Sequence, residues 1–177
     1  MAKLKDVINF IIMYSEKSQD PLTNMRLNKF LYFAQGHSFK RLGRPLFDED
    51  FKAWDYGPVI PEVYHQYKDL GKEAISEVKD YDPNSLTSDD INYLLDVLCE
   101  YDNYSTGALV SKSHIDNGPW AEAHVERQSV LISKKSIMKH FENEDLGYSV
   151  EDIINRIPEE GHHDNDGHLI LKKGFGE

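Results

Sequence analysis

The densest group of metal-capable side chains in the chain is His162, His163 and His168, interleaved with Asp164 and Asp166. Imidazole and carboxylate together are the donor set of many transition-metal sites. The spacing H-H-D-x-D-x-x-x-H matches neither the i, i+4 histidine pair of a zincin helix nor a zinc-finger pattern. It also lies in a Gly-rich acidic stretch with little to hold ligands in place, so it reads as a solvated polar loop. The run Asp164-Asn165-Asp166-Gly167 has the look of half a calcium loop, but position twelve, where a bidentate Glu belongs, is Phe175. The remaining histidines, His37, His65, His114, His124 and His140, are dispersed and show no nucleophile–base spacing. There is no G-x-S-x-G, no Gly-rich phosphate loop and no H-E-x-x-H. The single cysteine, Cys99, lies on or beside an apolar helical stripe and reads as a buried, inert thiol. No catalytic, cofactor-binding or metal-ligating residue is assigned, and the nucleophilic, nucleotide-dependent and zinc-protease readings lose their usual warrants.

Composition narrows the class. Leu, Ile, Val and Phe make up 46 of 177 residues, or 26%, above the ~20% below which a highly charged chain stays disordered. The longest apolar run, Phe10 to Tyr14, is five residues, against the ~20 that a membrane-spanning helix needs. The N-terminus has no secretory pattern, and one cysteine makes no intrachain disulfide. These features predict a cytoplasmic globular protein that does not enter a membrane. The formal net charge is −11 and unevenly spread: residues 1–44 carry eight Lys/Arg against three Asp/Glu, and the rest carry twelve against twenty-eight. An acidic body repels nucleic-acid phosphates and favours a basic partner. Within the first part, Arg26, Lys29, Lys40, Arg41 and Arg44 read either as a helix's solvated face or as a local phosphate-binding patch.

Several elements must position whatever the chain presents. Leu4, Val7, Ile8, Ile11 and Ile12 form one stripe of an amphipathic helix, broken by Ser18-Gln19-Asp20-Pro21. Thr23 is an N-cap for a second helix, apolar nearly all round its middle at Leu27, Phe30, Leu31, Phe33 and Ala34, and therefore expected at the centre of the fold; Gly43 ends it. A short strand is expected at 51–55, a turn at Gly57-Pro58, a helix from Glu62 to Leu70 closed by Gly71, and a second strand at 74–79 pairing with the first. Thr87 and Asp90 form a capping box before the stripe Ile91, Leu94, Leu95, Leu98, Tyr101. Helices over Thr106–Ile115 and 133–143 follow, separated by a turn at Asn117-Gly118-Pro119. The expected fold is mainly α: a compact bundle of about six helices with a small two- or three-stranded β element over residues 1–142. The tail, 143–177, is acidic and partly ordered, with a helix at 149–157 and a strand at His168–Lys172.

The most concentrated pattern is Leu27-Asn28-Lys29-Phe30-Leu31-Tyr32, Ala34-Gln35-Gly36, Pro45-Leu46-Phe47, Ala53-Trp54, then Tyr56-Gly57-Pro58-Val59-Ile60-Pro61-Glu62-Val63-Tyr64, with Ser113-His114 and Pro119-Trp120 downstream. This order resembles the Panacea domain, a phage- and mobile-element-associated family that includes the SocA-like antitoxins, across about residues 4–140. The tail after Glu142 has no counterpart in the pattern. The resemblance implies an antitoxin from a two-gene module on a prophage or similar element, neutralising a toxin encoded by the neighbouring gene through direct protein–protein binding. One branch resembles proteolytic adaptors, which adds a protease to the partners. It carries over no catalytic residues and no cofactor. Two alternatives remain at this point: a DNA-binding regulator of its own operon, resting on the basic first 44 residues, and a metal-dependent hydrolase built from the scattered histidines.

The partner-contact candidates are Trp54, Tyr56, Gly57, Pro58 and Tyr64. Gly57 is free to take a positive φ and Pro58 stiffens the chain. The three aromatics have the large apolar body and single polar end common at interface hot spots. They would equally serve to pin the loop against the second helix, and both readings stay open here. His114 and Trp120 read as a core corner.

Overall fold

The computed structural model describes residues 1–16, 20–82 and 84–147, together with the backbone pairing of His162–His163 with Leu169–Ile170. Its centre is the helix α2, Asn24–Arg41. Thr23 caps it as expected, its hydroxyl accepting from the Arg26 amide at 3.3 Å. Every residue from Asn28 to Ser38 is buried, with Leu27 and Phe30 fully so. A helix apolar all round has no solvent face to offer. Accordingly it packs against α1 (Leu4–Ser15), α3 (Pro61–Tyr67), α4 (Ser88–Tyr101), α5 (Thr106–Ser113) and α7 (Lys134–Phe141). The predicted stripe of α1 is buried at all five positions. The Thr87–Asp90 capping box at the start of α4 is present in both directions. The α4 face is rotated slightly from the expected one: Leu94, Leu98 and Tyr101 are buried, but Tyr93 and Val97 join them while Ile91 and Leu95 sit at its margin. Cys99 is half-buried and receives the Tyr14 hydroxyl.

Two neighbouring residues let other parts approach α2, one by lacking a side chain and one by hydrogen bonding. Gly36 faces the ring of Phe141 from α7, so closely that a Cβ there would overlap it. Gln35, 1% exposed, holds the Pro45-Leu46-Phe47 strap: its carbonyl accepts from the Leu46 and Phe47 amides at 3.0 and 3.2 Å, and its amide donates to the Phe47 carbonyl at 2.9 Å. A buried strap has no water to satisfy its backbone, so Gln35 does so together with Ser38 Oγ, which accepts from the Leu46 amide at 3.1 Å, and the Ala2 amide, which donates to the Leu46 carbonyl at 2.8 Å.

The β element is a three-stranded antiparallel sheet in the order β2–β1–β3, with β1 Lys52–Trp54, β2 Gly57–Val59 and β3 Val130–Leu131. Three expectations change here. The turn is Asp55-Tyr56, and Gly57-Pro58 begin the returning strand, in register Trp54↔Gly57 and Ala53↔Pro58. Pro58 is tolerated because β2 is an edge strand and needs no outward N–H. Residues 74–79 are not a strand, because β1 is already flanked on both sides. They form an extended strap tied by the Ile75 amide to the Leu22 carbonyl (2.8 Å) and by Asn9 to both the N–H and C=O of Lys79. After Asn117-Gly118, Pro119 opens a short helix α6, Pro119–Ala123, at whose first position proline's missing N–H costs nothing. In the tail, β4 (His162–His163) pairs with β5 (Leu169–Ile170), within the expected strand; the helix expected at 149–157 lies outside the described residues.

Candidate partner-binding site

The pattern that was scattered along the sequence converges on one hairpin. The β1–β2 turn and the start of α3 leave several backbone groups without ladder partners, and side chains from two directions take them up. From α2, Asn28 Oδ1 accepts from the Ile60 amide at 3.0 Å, Asn24 Nδ2 donates to the Tyr64 carbonyl at 2.9 Å, and Lys29 Nζ donates to the Pro58 carbonyl at 3.1 Å. From the α5–α6 corner, Trp120 Nε1 donates to the Trp54 carbonyl at 2.8 Å, His124 Nε2 donates to the Asp55 carboxylate at 3.1 Å, and His114 Nε2 lies 3.4 Å from the Asp55 carbonyl. Trp120 is itself held between His114 and His124, with ring centroids at 3.8 and 4.4 Å.

Gly57 is what allows the two sets of pins to meet. Its φ is +103°, and a Cβ at this position would stand 2.6 Å from Lys29 Nζ, 2.8 Å from Ser113 Oγ and 3.0 Å from His114 Cε1. Any larger residue would be strained in backbone and would push the amine off the Pro58 carbonyl. Lys29 is fully buried, and burial pulls its pKa from the ordinary 10.5 down to about 7.

On the solvent side the hairpin presents aromatics. Trp54 is partly exposed, anchored by its Nε1 donating to Ser129 Oγ at 2.8 Å and packed edge-on against Tyr64 at 5.0 Å. Tyr64 is 39% and Tyr56 70% exposed. Leu131, 48% exposed, continues the patch on β3. Trp54 is thus held in place and partly exposed at once. Gly57 and Pro58, by contrast, are buried; they shape the hairpin from beneath and are not themselves available to a partner, which corrects the expectation that grouped them with the aromatics. The sequence reading missed Lys29, taking it for a surface cation. The available signal was its place between Asn28 and Phe30 in the stretch of α2 that is apolar all round. Nothing in the sequence pointed to His124 or Ser129.

The N-terminal cations do not form an open patch. Arg26 is fully buried and paired with Asp20 and Asp102 at 2.9 and 3.0 Å. Lys29 is buried. Lys40 pairs with Asp145 at 2.5 Å, Arg41 with Asp96 at 2.5 Å and Arg44 with Asp90 at 2.6 Å. These five cations are buried or paired with carboxylates, which weakens the support they lent to the DNA-binding alternative. Among the described residues there is no group of three or more His, Cys, Asp or Glu that could hold a metal, and no helix long and apolar enough to cross a membrane.

Residues 27–121, which run from within α2 into α6 and include Asn28, Lys29, His114 and Trp120, match the family described as antitoxin SocA-like, Panacea domain. The chain is similar to the protein named Antitoxin SocA from Caulobacter vibrioides (strain NA1000 / CB15N), with 31% identity over 124 residues. That match covers 64% of this chain and 66% of the relative, just under two thirds of its length. No solved structure matches.

Proposed function

This chain belongs to the SocA-like, Panacea-domain family of antitoxins, and on that premise we propose that it neutralises a protein toxin by binding it directly through the pinned hairpin. The observation that carries the reading is the use made of the polar groups in the family pattern. Asn28, Lys29, His114 and Trp120 all point at hairpin backbone, leaving Trp54, Tyr56 and Tyr64 on a surface that needs no rearrangement to bind. Preorganisation of this kind removes part of the ordering cost of association. The buried Lys29 amine sits where no substrate reaches it, so the arrangement supports a binding protein that makes and breaks no covalent bonds. The acidic body complements a basic toxin and steers its capture.

In this reading the partner is a toxin encoded beside the antitoxin on a prophage or other mobile element, and the two meet in the cytoplasm. Expressing the toxin alone is expected to arrest growth, and co-expression with this chain to restore it. Co-elution of the two proteins on size-exclusion chromatography is expected to accompany the rescue, and Trp54→Ala to weaken both. A rescue that persists with no detectable complex refutes direct binding. The level of toxin separates occlusion from delivery to a protease: it is stable in the first case, and lost in a protease-dependent way in the second.

A further inference from the structure

At the tip of the hairpin, Trp54, Asp55 and Tyr56 face Arg127, Gln128 and Ser129 across a cleft of about 280 Å³. Clefts for small organic ligands run from about 300 to 1,000 Å³, so this one suits a single side chain rather than a cofactor. Its chemistry is specific. The Tyr56 ring has no aromatic or cationic partner among the described residues and is 70% exposed. Beside it the Asp55 carboxylate is 63% exposed. His124 Nε2 fixes one Asp55 oxygen from behind at 3.1 Å, leaving the other toward solvent. The cleft contains one cation of its own, Arg127, which is 88% exposed and paired with its neighbour Glu126 at 3.4 Å, on a backbone with φ of +60°, a conformation arginine rarely adopts. The surrounding segment, Pro45 to Leu70, carries six carboxylates against two lysines.

We infer that this cleft is the receptor for a cationic side chain, lysine or arginine, of the partner protein, seated against the face of Tyr56 and paired with Asp55. An aromatic face and a fixed carboxylate at one point are complementary to a cation on both counts, cation–π and ion pair. The inference rests on the antitoxin reading and specifies where its charge complementarity is concentrated. Gln128 and Ser129 close the far wall, and Ser129 also holds the Trp54 indole, so the cleft keeps its shape while empty.

The test measures binding of the purified cognate toxin to the full chain and to four variants. Asp55→Asn keeps an oxygen for His124 and removes the charge; it is expected to weaken binding about tenfold, mainly by slowing association, and to flatten its salt dependence. Tyr56→Phe retains the ring face and is expected to bind within about twofold of the unaltered chain, whereas Tyr56→Leu is expected to lose about fivefold to tenfold. Arg127→Ala, which removes the competing cation of the cleft, is expected to bind as tightly or more tightly. A complex that forms but is indifferent to Asp55→Asn, or for which Tyr56→Leu equals Tyr56→Phe, overturns this inference alone. Absence of any complex with the unaltered chain overturns it together with the antitoxin reading. Position 56 is exposed and Asp55→Asn retains the bond to His124, so thermal unfolding of all four variants should match the parent and exclude misfolding.

Discussion

Lys29→Met isolates the energetic cost of the pin beneath the hairpin. The amine is fully buried, donates to the Pro58 carbonyl and has no carboxylate partner among the described residues. Desolvation lowers its pKa from 10.5 to about 7. Below pH 7 the folded and unfolded chains both carry the charge, and the fold bears the whole desolvation penalty. Between pH 7 and 10.5 the unfolded chain alone holds the proton, so raising the pH relieves that penalty by about 1.4 kcal/mol per unit. With half-titration at pH 7 included, the gain in stability between pH 7 and pH 9 comes to about 2 kcal/mol. Other groups in this acidic chain also titrate, so the quantity to measure is a difference of differences. Urea denaturation at pH 7 and pH 9 is recorded for the unaltered chain and for Lys29→Met, which has similar length and no charge. The substitution leaves the Pro58 carbonyl without its donor, a cost of about 1–3 kcal/mol that is the same at both pH values. The unaltered chain is expected to gain about 2 kcal/mol more than the variant on going to pH 9. Parallel pH dependence of the two, within experimental scatter, would refute the desolvation argument and show that the ammonium is stabilised in place.

Four further outcomes follow from the same structure. His37, 2% exposed and paired with the Tyr101 hydroxyl at 2.8 Å, is pulled by burial to a pKa of about 4. It stays neutral in the fold while the unfolded chain protonates, so stability falls by about 3 kcal/mol as pH drops from 6.5 to 4, and His37→Phe removes that part of the acid sensitivity. Gln35→Ala leaves the Phe47 amide and carbonyl of the strap without their partner, while the Leu46 amide keeps Ser38 Oγ at 3.1 Å; it is expected to cost about 2 kcal/mol by urea denaturation. Gly36→Ala drives a methyl into the Phe141 ring, and the overpacking outweighs alanine's better helix propensity, for a net loss of about 1–2 kcal/mol and a lower Tm. Thr87→Ala removes the hydroxyl that accepts from the Asp90 amide, leaving the Asp90 carboxylate on the residue-87 amide, the other half of the capping box on α4, and is expected to cost about 1 kcal/mol.

What was legible in the sequence was much of what local periodicity and helix capping set, whereas the turns at Gly57-Pro58 and Asn117-Gly118-Pro119 were placed differently by the fold. The α1 stripe, the Thr23 cap, the centrality of α2 and the Thr87–Asp90 box follow from which residues recur every three or four positions and which side chains reach an orphan amide three residues on. These are short-range facts, and folding does not revise them. The aromatic run around the hairpin was visible too, because Trp, Tyr, Gly and Pro in close succession restrict a chain wherever it lies. Pairing and partner choice were not visible. Residues 74–79 have strand-like composition, but β1, the strand they were expected to join, is already paired on both sides, and β3 is two residues long, too short to leave a periodic trace. Whether Arg26, Arg41 and Arg44 face water or a carboxylate depended on Asp102, Asp96 and Asp90, which lie 46 to 76 residues away along the chain. The same holds for the site. Tertiary packing alone decided that Lys29 would be a buried pin, that Gly57 and Pro58 would lie beneath the surface and Tyr56 upon it, and that Asp55 would meet His124 beside an open aromatic ring. A side chain's type sets which bonds it is able to make, but its burial and partners are properties of the space that distant segments close around it.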